Sequence, residues 1–153
     1  MTKFLLYTFL ILSNFFCSPK PISVALSFTR DTECIINGAD GRVTILCWGY
    51  GISKGAASEN AIINGLNDII FNGILKGKIN NQITPLISDQ IIKKKNEKYF
   101  HDFFLNNYKT FVVISQISNP TLVSNNQKIA KVKLIVDVAE LKRKIYKDLN
   151  INS

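Results

Sequence analysis

The sequence predicts an α+β fold, with an antiparallel sheet built from two hairpins and helices packed mainly on one face. Three observations predict it. The elements run hairpin, helix, irregular helical excursion, hairpin, helix. No regular β-α-β alternation demands a parallel sheet. Strand segments alternate apolar and polar side chains, while helical segments gather their apolar residues into one stripe. With 153 residues and 17.2 kDa there is room for one compact domain rather than a two-domain enzyme. Hydrophobic residues at 46% and charged residues at 20% exclude a disordered, collagen-like or multi-span membrane chain.

The first segment reads as an address. Met1-Thr2-Lys3 is a short positive start, and Phe4 to Leu12 runs without a charge or helix breaker, with apolar character as far as Phe16. That run is short of the ~20 residues needed to span a bilayer as a helix, so residues 1–25 are expected to be a signal peptide. Small residues in Ser23-Val24-Ala25 place cleavage after Ala25, leaving 26–153 as a single α+β domain with no transmembrane helix. Cys17 offers a rival as a lipidated residue tethered by Ser18-Pro19-Lys20-Pro21, although Phe16 puts a bulky ring where that processing needs a small side chain. Either way the expected destination is periplasmic or secreted, with lipid anchoring to the outer membrane as the alternative.

Export makes Cys34 and Cys47 a candidate disulfide. Between them Asp40-Gly41 suits a two-residue hairpin turn. Centred there, the register sets Cys34 opposite Cys47 at a non-hydrogen-bonded site, where Cα atoms approach most closely. A bond closing this 14-residue segment would be worth about 3 kcal/mol in the loop-entropy model. The alternatives are two buried free thiols or a turn centred on Asn37-Gly38.

Arg42 to Trp48 reads as a strand with apolar groups on both faces, and hence a central one. Gly49-Tyr50-Gly51 is expected to end it in a tight turn, and Ser53 to cap the helix that follows. On that helix Ala61, Ile62, Gly65, Leu66, Ile69, Ile70, Gly73 and Ile74 share a wide face, with Asn60, Asn64 and Asn67 opposite. Small residues at Ala57, Ala61 and Gly65 would let it approach the strands closely. Phe71 falls off the stripe and needs a second cover. The candidate is the stretch after Gly77, where Asn96 can cap a helical turn carrying Tyr99, Phe100, Phe103 and Phe104.

Thr110–Ile117 and Ile129–Asp137 are the next strands, joined through Asn119-Pro120 and Asn125-Asn126. In the second, Ala130, Val132, Leu134 and Val136 alternate with Lys131 and Lys133, so one face is buried and one wet. Asp137-Val138-Ala139-Glu140 forms a capping box for a closing helix with Leu141, Ile145 and Leu149 as its stripe.

The chemistry-bearing residues are few. Nineteen Lys and Arg against eleven Asp and Glu give +8, but only Arg30, Arg42 and Arg143 are arginines, which argues against nucleic-acid binding. Gly49-x-Gly51 with Gly55 lacks the spacing of a phosphate-cradling loop. His101 is the sole histidine; with Glu97 and Asp102 nearby it is a candidate base in an exported hydrolase, against the alternative of a solvated helix residue. Lys93-Lys94-Lys95 with Lys98, beside Tyr99 and Phe100, is a candidate cationic surface for anionic lipid or glycan, or simply a hydrated helix flank. Trp48 and Tyr50 could grip a partner, or be buried against the start of the helix. No metal or cofactor is implied.

Val43 to Ile74 is similar to a pattern in small exported bacterial domains: a strand ending Gly49-Tyr50-Gly51, then Ala57, Ala61 and an apolar helix ending Asp68-Ile69-Ile70-Phe71-Asn72-Gly73. It resembles a family of uncharacterised exported proteins and, more distantly, the N-terminal domain of flagellar assembly protein T and related small outer-membrane lipoproteins, which close with a strand and helix like Val132 to Leu149. The resemblance covers about two-thirds of the chain after Ala25, and the excursion from Leu75 to Asn107 departs from the flagellar pattern. It implies a non-enzymatic envelope accessory or interaction domain, with a protein or envelope component as partner.

Overall fold

The computed structural model describes residues 32–77, 81–119, 121–124 and 127–151. The expected signal peptide, its cleavage after Ala25 and Cys17 lie outside the described residues. Strands β1 (Glu33–Asn37), β2 (Arg42–Gly51), β3 (Lys76–Gly77), β4 (Val112–Ile117), β5 (Thr121–Ser124) and β6 (Gln127–Asp137) form one sheet in the order β3-β1-β2-β6-β4, with β5 also paired to β6. The two hairpins meet along β2 and β6, which pair antiparallel from Arg42↔Asp137 to Gly51↔Lys128. The domain is therefore α+β and β2 is central. The sheet is mixed, however, because β3 runs parallel to β1 through Glu33↔Lys76 and Cys34↔Gly77. A two-residue strand carries no alternation to read, which is why the purely antiparallel expectation missed it.

The first turn holds Asp40-Gly41 in a different geometry from the one expected. Gly38 N–H donates to Arg42 O at 2.9 Å, and Gly41 N–H to Gly38 O at 3.3 Å. With Gly41 at φ 80° this is a three-residue loop closed by a left-handed glycine rather than a two-residue turn. A bulge between Cys34 and Ile36 slips the register again, so Cys34 faces Ile45. The expected register, with Cys34 opposite Cys47, is thereby corrected; both side chains are buried, and the Cys47 thiol donates to Val132 O at 3.4 Å.

Burial, and after it the charge of Asp68, pushes the Cys47 thiol up to about 12 from 9.0. Burial also raises Cys34. We expect alkylation at pH 8 to be slow in the folded domain and fast in denaturant; rapid labelling without denaturant would contradict the packing. The linkage has a definite sign. The unfolded chain gives up the Cys47 proton near pH 9 while the fold retains it, so this thiol favours folding below pH 9.0 and that contribution is lost as pH rises toward about 12.

Helix α1 (Lys54–Asn67) begins as expected, with Ser53 Oγ accepting from Ala56 N–H at 3.1 Å. Gly49, instead of ending the strand, lies inside β2 opposite Ala130, because α1 crosses it too closely to admit a side chain. Asparagines of α1 reach the strand, although Asn60 stays exposed. Asn60 Nδ2 donates to Tyr50 O at 2.7 Å and Asn64 Nδ2 to Trp48 O at 3.0 Å, while Asn67 is buried. Pairing between β1 and β2 stops at Glu33↔Leu46, so these side chains satisfy strand carbonyls beyond the reach of β1.

The helix then widens into a π turn, Asp68–Asn72, which alters the angle on which the stripe was projected. Phe71 is buried there, and its expected cover is present: the Phe100 ring meets it edge-on at 4.8 Å. Phe100 belongs to α3 (Glu97–Asp102), preceded by α2 (Gln90–Lys95). Asp89, not Asn96, supplies a side-chain cap here, accepting from Ile91 N–H at 2.7 Å. A second π turn (Phe103–Asn107) and a 3₁₀ turn (Tyr108–Phe111) lead into β4. The last helix, α4 (Val138–Asp148), is capped by Asp137 Oδ1 accepting from Glu140 N–H at 3.0 Å and buries Leu141 and Ile145.

Among the described residues the helices contribute to one layer. Ile62, Leu66, Ile69, Phe71, Phe100, Leu141 and Ile145 pack in a single cluster with Cys34, Val43, Ile45, Cys47, Val132, Leu134 and Val136, which project from one face of the sheet. The alternate residues of the same strands are outside that cluster.

Candidate functional site

Those alternate residues make an open sheet face, ordered by strand register. One cross-strand row runs Ile36, Thr44, Ile135, Val113 across β1, β2, β6 and β4. Ile36 is 55% and Val113 63% exposed at the ends of this row, while Thr44 between them is buried and Ile135 half-buried. The next row is mixed, with Lys76, Glu33, Leu46, Lys133 and Gln116. Beyond it Trp48 faces Lys131, and Tyr50 faces Ile129.

Trp48 is the centre of this surface. Its ring is partly exposed, with Lys131 Nζ 5.2 Å and Lys76 Nζ 5.8 Å from its centroid. An indole with two ammonium groups near its ring is a cation–π cluster that also presents positive charge outward. Burial of Trp48 and Tyr50 against the start of α1 does not occur, because their side chains leave β2 on the side opposite Ile45 and Cys47, which pack with the helix. Lys133 sits beside them on β6, and Arg42 faces Asp137 at 3.8 Å at the end of the sheet.

The other named residues lie elsewhere. Lys93, Lys94 and Lys95 form the last turn of α2, and Lys98 follows on α3. All four therefore belong to the helical layer, away from Trp48 and Tyr50, and Lys93 Nζ lies 4.4 Å from the Phe71 ring centroid. His101 Nδ1 is 3.5 Å from Asp102 Oδ1, with both side chains 56% exposed, and Glu97 is exposed in the first turn of α3. Among the described residues no group of three or more His, Cys, Asp or Glu is placed to hold a metal.

Two clefts stand out among the described residues. One of about 490 Å³ includes Thr32, Asp68, Asn72 and Lys76 in its lining. There the buried Asp68 carboxylate accepts from Thr32 Oγ1 at 2.5 Å and from Asn72 Nδ2 at 2.8 Å. These bonds tie the start of β1 to the π turn. The second, about 480 Å³, lies along α4 beside Lys142, Arg143, Tyr146 and Lys147. Neither cleft is lined by Glu97, His101 or Asp102.

Trp48 and Tyr50 stand out in the sequence as candidate partner residues, whereas Lys76, Lys131 and Lys133 do not. The available signal was the alternation of Lys131 and Lys133 along β6; what it lacked was the pairing that sets them beside Trp48. Among the described residues no helix is long and apolar enough to cross a membrane. No protein family, curated protein or solved structure matches the chain.

Proposed function

We propose that the chain is an exported, non-enzymatic interaction domain of the cell envelope, and that it works through the open sheet face. The observation that carries this is the exposure of Ile36 and Val113 on that face, together with a half-buried, lysine-flanked Trp48. Packed sheets normally bury their apolar face, and an aromatic and aliphatic surface edged by cations is the form of a contact site. The signal-peptide pattern of residues 1–25 and the resemblance to small exported domains support an exported compartment.

Fractionation of producing cells tests both halves. The expected product begins at Leu26 by intact mass and sediments with the envelope. Val113→Asp with Ile36→Asp should release it while leaving its thermal transition in place. A cytoplasmic product that keeps its first 25 residues would refute the compartment, and undiminished sedimentation of the double variant would refute the face. Substrate turnover abolished by His101→Ala would favour the hydrolase instead.

A further inference from the structure

Resting on the interaction-domain reading above, we infer that the occupant of the open sheet face is an anionic lipid surface. Three features of the face point there. Its exposed aliphatic residues, Ile36 on β1 and Val113 on β4, stand on the outer two of four paired strands, a span of about 14 Å, which exceeds the ~10 Å diameter of a single helix. Its central rings are Trp48 and Tyr50, whose amphipathic bodies suit the boundary between headgroup and acyl chain. The cations around them, Lys76, Lys131 and Lys133, are flexible point charges that can follow mobile phosphates and do not require the fixed bidentate geometry of an arginine.

Competing occupants fit less well. A second copy would bring the same lysines against themselves, with Glu33 and Asp137 as the acidic residues of the face and Asp137 already facing Arg42. A glycan offers charge and stacking but nothing aliphatic to cover Ile36, Ile135 and Val113. An acidic amphipathic helix supplies both chemistries yet leaves the ends of the row, Ile36 at 55% and Val113 at 63% exposure, in water.

Trp48 is the only tryptophan in the chain, so its fluorescence reports this face directly. The protein, purified as the cell delivers it, is titrated with vesicles of phosphatidylcholine alone and of phosphatidylcholine with one quarter phosphatidylglycerol. Anionic vesicles should bind it about 10-fold more tightly than neutral ones, shift its emission to the blue, and release it as salt rises to about 0.5 M. Lys131→Glu with Lys133→Glu should weaken binding about 10-fold or more. Lys94→Gln, Lys95→Gln and Lys98→Gln together should leave it within about 2-fold. All variants share one N-terminus, so differences among them belong to the face, and circular dichroism confirms that each is folded.

Unchanged Trp48 emission with no preference for anionic vesicles would overturn the inference. So would binding controlled by the Lys94, Lys95 and Lys98 set. If vesicles fail while envelope sedimentation still depends on Ile36 and Val113, the occupant is a protein or other envelope component and the interaction-domain reading survives. If both fail, both are wrong.

Discussion

Gly49→Val is expected to unfold the domain or leave it barely stable, and Gly49→Ala to cost about 3 kcal/mol. A Cβ at this position would lie 2.1 Å from Ala61 N and 2.5 Å from Ala57 O, both backbone atoms of α1. Neither can rotate away, so the helix itself must retreat. Retreat would loosen Ala57, Ala61 and Leu66, all 0% exposed, and stretch the Asn60 and Asn64 bonds to Tyr50 O and Trp48 O. Losing contacts over so much of the helix consumes a large part of the ~5–15 kcal/mol that holds a typical domain. The control is Gly55→Ala, whose added Cβ meets only Ser53 Oγ at 3.9 Å and should be neutral or stabilising by about 0.5 kcal/mol. Urea midpoints of the two alanine variants decide the matter. Equal midpoints would mean that α1 does not sit where it is described.

Gly49 also shows where sequence and structure part company. As a glycine between a strand and a helix it reads naturally as a turn, and its actual duty, admitting a helix against a central strand, depends on a contact with Ala61 twelve residues away. Local signals served well. The caps at Ser53 and Asp137, the stripes of α1 and α4, the centrality of β2 and the need for a cover over Phe71 were all readable, because each is set within a few residues. What could not be read is what long-range pairing decides. The bulge near Ile36 and the left-handed Gly41 each slipped the first hairpin, and together they set Cys34 opposite Ile45 instead of Cys47. At the candidate site Trp48 was visible, but the lysines beside it come from β3 and β6, and only the sheet order brings them there.

Edge protection follows the same logic. Strand β4 presents Val113, Ile114 and Ile117 without a charge in Val112–Ile117, a composition that invites pairing with another chain. Register shifts blunt it: a bulge between Ile114 and Gln116, where Ser115 Oγ donates to Lys133 O at 3.1 Å, and a second between Leu122 and Ser124 in β5. Such bulges twist an edge out of register with a straight partner. A docking role is therefore better assigned to the face than to the edge.

The excursion from Leu75 to Asn107, which departs from the resembled pattern, is expected to be integral to the core: Phe100→Ala should cost about 3–5 kcal/mol. Phe100 is 4% exposed and touches Phe71 edge-on at 4.8 Å with an interplanar angle of 77°. It also meets Tyr99 at 5.1 Å, and Phe103, on the next turn, continues the stack toward Phe111 at 6.0 Å. Truncation would leave a ring-sized void beneath α3 and remove the edge-on pair, itself worth about 1 kcal/mol. Polar ties add to the packing: Leu86 N–H donates to Ile69 O at 3.1 Å and Ile87 N–H to Ile70 O at 2.8 Å. Tyr99 donates to Asp148 Oδ2 and Tyr146 to Leu86 O, both at 2.8 Å and both reaching α4. Chemical denaturation distinguishes an integral cover from a dispensable lid. An integral cover loses midpoint with the urea slope unchanged, because the whole domain still unfolds together. A lid that detaches by itself would leave the midpoint near that of the parent and reduce the slope, and that result would return the excursion to the status of an appendage.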